Sequence, residues 1–387
     1  MQETGATMRV SRFWFHSLAV AAAVSALGLS LSAQSKPRPL VPSPGTGTLM
    51  VGVFPDHFKV IDEATGTISG KVPFTAGMPR RTSLSKDRTR FYTVEAQMEK
   101  VEIIDVATRK SLDTFTLSEG ARRVRIKTLE PDPLHRFVML VVRPVVKRVD
   151  RWEIEPSAIL KYDLATHKVT DTLPWPNGEE RENATMQFSP DGKVMYLFSE
   201  QDVLIYDTTT LKQTDRWELS KPVEEGYGAF EFGQIDANND EPGYYTAIFQ
   251  VQDPVQKRRM MGIGRVNLAE KKVDFYTLGP AQQVGFSMAP GRKVAYGLFN
   301  EIGHYEFWKF DLEMKRVAAK VEFAGRPRMS LKVSTSGKVL YIYNAGDTID
   351  LYDAATFKYM KTIDLGGDVT SDLFVLPGAA PKAAKTN

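Results

Sequence analysis

VLIYDTTTLKQTDRWEL (203–219) holds an alternating apolar run, an acid, a short polar stretch and a second run. The same design recurs as VEIIDVATRKSLDTFTL (101–117), ILKYDLATHKVTDTLPW (159–175) and IDLYDAATFKYMKTIDL (349–365). The acid stands at Asp62, Asp105, Asp163, Asp207, Asp311 and Asp353, and Asn267 holds its place once. Successive gaps are 43, 58, 44, 60, 44 and 42 residues. A fixed period of this length marks a solenoid or a propeller. The flanking runs are β-branched and aromatic, alternate with period two and carry no helical stripe, which decides for β blades.

A second motif precedes the first by about one strand. FSPDGKVMYLFS (188–199) is its clearest copy, with relatives at 85–96, 289–300 and 334–345. Asp191-Gly192 and Ser336-Gly337 supply residues that tolerate positive φ, so each predicts a hairpin turn. One unit is therefore two strands around that turn, a short connection, a strand ending in the acid, a polar turn and a fourth strand. The acid is placed to accept hydrogen bonds from the N–H groups of its own turn. The chain opens on TLMVGVF (48–54), a second strand lacking a first, and closes on DLFVL (372–376), a strand beyond the seventh unit. The expected fold is all-β: a seven-bladed β-propeller of four-stranded blades over 47–377, its ring closed by the C-terminal strand, which leaves no free edge.

Around that domain, residues 1–33 read as a signal peptide. Arg9 and Arg12 precede the apolar run Leu18–Leu31, and the small residues Ser30, Ser32 and Ala33 suit a cut after Ala33. An uncleaved membrane anchor is the alternative, for which the run is short. The Pro-rich segment 34–46 is expected to be an extended or flexible linker, and 378–387 a disordered tail. These features predict a periplasmic or secreted protein with no membrane span after cleavage. Lys and Arg number 50 against 47 Asp and Glu, well mixed, so no nucleic-acid stripe appears. There is no cysteine. An exported fold of this kind holds without disulfides, and haem attachment through C-x-x-C-H, iron–sulfur ligation and thiol catalysis are excluded for this chain.

Motifs for chemistry are sparse. His57, His135, His167 and His304 share no ligand spacing. DANNDE (236–241) resembles an oxygen-rich calcium loop but lacks its glycine and its distal Glu. Glu179/Glu180 and Glu224/Glu225 read as solvated loop acids. Two units exceed the period, through VVRPVVKRVDRWEIEPSAIL (141–160) and the aromatic-rich stretch 222–260. Long additions to a repeat commonly fall on one, binding face. Aromatic and Arg residues dominate contact energies. Arg143, Trp152, Tyr227, Phe230 and Tyr244 are therefore the candidate partner interface, with no catalytic, metal or cofactor-binding residue assigned.

SPDGKVMY and VLIYDTTTLK resemble the YVTN-type seven-bladed propellers of exported bacterial proteins, over residues 47–376. RPVVKRVDRWEIEPSAILKYDLATHK (143–168), 284–323 and 333–370 resemble the β subunit of quinohemoprotein amine dehydrogenase. That resemblance implies a cofactor-free periplasmic platform beside a haem-bearing subunit and a small subunit whose tryptophylquinone oxidises primary amines. It carries no catalytic residue onto this chain. Two other readings stay open: a stand-alone propeller that binds a protein, peptide or glycan, and a lactonase-like hydrolase on the same fold.

Overall fold

The computed structural model describes residues 40–199, 202–219, 225–226, 228, 230–233, 236 and 241–378. The signal segment 1–33, linker residues 34–39, Tyr227 and all of the tail beyond Gly378 lie outside them. The described chain is nearly all β, with seven antiparallel sheets arranged as the blades of a propeller. From the axis outward, blade 1 runs Val369–Leu376, Thr48–Val53, His57–Asp62, Thr67–Pro73. The innermost strands of blades 2 to 7 are Pro79–Leu84, Arg122–Pro131, Thr185–Phe188, Phe230–Phe232, Ser287–Met288 and Ser330–Val333.

Alternation explains why these segments become blades. In Thr48–Val53, Leu49, Val51 and Val53 enter a core shared with Val339, Tyr341, Ile349 and Leu351 of blade 7. Met50 enters another, with Phe58, Phe74, Phe91 and Ile104, shared with blade 2. A strand buried on both faces reads as one apolar run, which is how LMVGV reads.

The C-terminal strand closes the ring as expected. Leu49 pairs with Val375, Met50 with Phe374 and Val51 with Leu373. Glu63 locks the same seam from the side. Its carboxylate accepts the N–H groups of Gly47 and Thr335, both at 2.8 Å, and the Tyr341 hydroxyl at 3.0 Å.

All seven turn residues hold their turns. Asp62 Oδ1 accepts the Thr65 N–H at 2.9 Å, and the equivalent bonds at Asp105, Asp163, Asp207, Asn267, Asp311 and Asp353 measure 2.6 to 3.1 Å. The next residue of each turn has positive φ, and only at Gly66 is it a glycine; Arg109, His167, Leu211, Lys271, Lys315 and Phe357 fill the others.

Three details go beyond the sequence reading. Residues 40–46 are tied to the domain. Leu40 donates its N–H to Ala64 O at 3.0 Å and packs on the core between blades 1 and 7, while Pro44 O accepts the Ser336 N–H at 2.9 Å. Blade 3 carries a fifth strand, Trp152–Ile154, because its second strand, Phe137–Lys147, runs on past the third strand and the chain folds back beside it. Much of the described part of the stretch 222–260 is blade. Strands Phe230–Phe232 and Tyr244–Asp253 within it belong to blade 5 itself.

Candidate functional site

Two features stand at the same end of the ring. Antiparallel pairing sets the start of each innermost strand beside the end of the second strand. The connections between blades and those between second and third strands therefore share one end.

The first feature is a hairpin. Lys147 pairs with Trp152, Glu153 with Val146 and Ile154 with Val145, while Arg122 and Arg123 pair with Val146 and Val145 from the other side, so the blade 3 sheet runs on as a short ribbon three strands wide. Its tip is tied by the Arg148 N–H to Arg151 O at 2.8 Å and by Glu153, which takes Arg148 and Arg151, each at 2.8 Å. The base is braced by the segment before blade 4. Arg143 pairs with Glu180 at 2.9 Å, Glu180 also accepts the Ser157 N–H at 2.6 Å, and Trp175 Nε1 donates to Ser157 O at 2.8 Å. Glu180 is exposed, as read from sequence, and also braces this base. Its pKa is lowered chiefly by the Ser157 N–H, with Arg143 adding to the effect. On this braced ribbon Trp152 is 58% and Ile154 68% exposed. Beside it lies a groove of 360 Å³ whose apolar lining includes Leu117, Val124, Val142, Pro144 and Leu160.

The five candidate anchors therefore separate. Trp152 is exposed on the ribbon, and Arg143 holds its base. Tyr244 is half-buried in blade 5 with the Arg265 guanidinium 3.7 Å from its ring centre. Phe230 is corrected outright: it is 3% exposed and stacks on Phe249 at 4.2 Å, so it is blade core. Alternation along a short strand sends one aromatic inward wherever the run is apolar, and a dense aromatic run does not distinguish core from contact. Tyr227 lies outside the described residues.

The second feature is the mouth of the central funnel, a cavity of 680 Å³. The innermost strands of blades 1, 2 and 3 line it, with Asn183 and Asn344 from neighbouring connections. Each of these three strands breaks its pairing here. Pro79 pairs with Glu95 and Arg81 with Val94, leaving Arg80 extra; Ile126 pairs with Val142 and Thr128 with Val141, leaving Lys127 extra. In blade 1, Thr370, Ser371 and Asp372 stand opposite Gly52 alone, whose N–H donates to Ser371 Oγ at 2.8 Å. The innermost strands of the other four blades pair without a shift among the described residues. All five bulged side chains line the cavity.

The charges around the mouth are partly spoken for. Arg81 donates to Lys127 O, and Lys127 lies 3.6 Å from Glu182. Asp372 accepts the Tyr343 hydroxyl at 3.3 Å. Lys332 and Asp236 pair at 3.2 Å, and Asp236 also takes the Ser287 hydroxyl and the Met288 N–H. Burial opposes the Lys332 ammonium, but Asp236, with Tyr343 and Asp372, outweighs it and raises its pKa. Asp236 thus serves an internal ion pair, and Glu241, also of the calcium-like stretch, serves Arg265 and Arg292.

The histidines stay apart, in blades 1, 3 and 6. His135 bridges Tyr92 and Asp87, each at 2.9 Å, between blades 2 and 3. Burial lowers the His57 pKa.

The funnel mouth was not singled out from sequence. A signal existed in RRVRIK (122–127), where an innermost strand carries four cations, and in the tandem Arg80-Arg81. The bulges themselves have no residue signature.

No protein-family model and no curated protein sequence matches the chain. Solved structures do. A functionally unknown protein from Desulfotomaculum acetoxidans DSM 771 matches over 86% of this chain and 100% of its own, at 12% identity and a TM-score of 0.52. AztD from Citrobacter koseri matches over 84% and 97%, at 13% identity and 0.48. Hydrazine synthase from Kuenenia stuttgartiensis matches over 84% and 94%, at 13% identity and 0.47. At such identities the likeness is one of fold alone.

Proposed function

We propose that the chain is an exported, non-catalytic platform that holds a protein partner against its blade 3 ribbon, in the manner of the β subunit of an amine dehydrogenase complex. In this reading haem and tryptophylquinone belong to partner chains, and this chain contributes rigid surface. The observation that carries it is the ribbon: two large apolar side chains, Trp152 and Ile154, stand in the open on a braced extension of a closed blade. Exposed tryptophan on a rigid element is what a contact centre uses, and a rigid support spares the ordering cost of binding. The resemblance of residues 143–168 to the strand extension of that β subunit supports the same reading.

The test is co-purification. Trp152→Ala and Ile154→Ala together should lower recovery of the native partner tenfold or more while leaving thermal unfolding within about 2 °C of the parent, since neither side chain is in a core. Undiminished recovery by the double variant would remove the ribbon from the interface.

A further inference from the structure

The funnel mouth has features that the platform role does not use. β-Bulges re-aim side chains and recur beside functional sites. Here three neighbouring innermost strands carry them, and every bulged residue lines the same cavity. The lining holds three cations, Arg80, Arg81 and Lys127, against one carboxylate, Asp372. Arg81 and Lys127 have partners within the protein, and so does Asp372. Arg80 is exposed and is paired with no carboxylate among the described residues.

From these observations we infer that the funnel mouth binds a small oxyanion-bearing molecule, a carboxylate or phosphate on a hydroxylated body of sugar size. The guanidinium of Arg80 meets the oxyanion through two parallel N–H donors, as planar guanidinium groups do with carboxylate and phosphate. The amides of Asn183 and Asn344, also in the lining, meet the hydroxylated body. A cavity of 680 Å³ is in the range that encloses such molecules. The site is independent of the ribbon, so neither proposal depends on the other.

Calorimetric titration of the full chain with gluconate, glucose 6-phosphate and glucose tests this. One or both anions should bind at one site per chain, more weakly at high salt, while glucose binds at least tenfold more weakly. The preference between the two anions separates carboxylate from phosphate. Arg80→Ala should weaken the binding tenfold or more without lowering the melting temperature, and Lys257→Ala, on an exposed turn of blade 5, should leave it unchanged. Binding of neither anion, equal binding of glucose, or an Arg80→Ala affinity equal to that of the parent would overturn the assignment.

Discussion

At Asp353 one carboxylate oxygen accepts the N–H groups of Ala355 and Thr356 and the Thr356 hydroxyl, at 2.9, 2.7 and 2.9 Å. Burial works against that carboxylate, yet these donors outweigh it and its pKa is lowered. Asp105 and Asp163 are lowered by the same means, through Thr108 N–H first in one and the Thr166 hydroxyl first in the other. A lowered folded pKa adds stability above the unfolded value of about 4, and that stability is lost as pH falls through the folded value. Asp353→Ala should cost about 1 kcal/mol at pH 7 in denaturant unfolding. Asp353→Asn should cost less and flatten the decline below about pH 4, because Asn267 already fills this place in blade 5 with a 3.1 Å bond from the Glu270 N–H. An Ala variant as stable as the parent would show that the turn does not need the acid. This role was legible from sequence because six Asp and one Asn, each at the same place in its repeat, leave little else for the residue to do.

Among the elements, strand Val369–Leu376 carries the most. Leu373 and Val375 enter the core shared with blade 7, and Phe374 and Leu376 the one shared with blade 2. Deleting 369–387 removes the inner strand of blade 1 and opens both cores, so cooperative unfolding followed by circular dichroism should disappear. The single change Leu373→Ala, at a fully buried position, should cost about 2–5 kcal/mol. A truncated chain that melts like the parent would contradict closure. The pairing of the termini was readable because one end lacked a strand and the other had one to spare. The ribbon of blade 3 was readable only as excess length, since nothing in VKRVDRWEI distinguishes a paired extension from a loop. The bulges at Arg80 and Lys127 were not readable, because a bulge is a mismatch between two strands and neither sequence alone contains it. Phe230 was misplaced for a related reason: its partners Phe249 and Phe275 are brought beside it only when blade 5 forms.

At the scale of the whole molecule, closure and the two sites belong together. A closed ring keeps the short inner edges of its blades facing the axis, where they are protected from pairing with other chains. The ribbon and the funnel mouth lie at the same end of the ring. The linker residues 40–46 and Glu63 reinforce the seam between blades 1 and 7. The platform reading makes one demand that no variant of this chain alone can meet: partners that carry the redox groups. Isolation of the native protein from the periplasmic fraction, followed by gel filtration with haem absorbance and quinone staining, tests that demand most directly. The account predicts co-elution with a haem-bearing chain and a small quinone-staining chain, and no turnover of primary amines by this chain on its own. Recovery of a homogeneous single chain, free of both, would contradict it.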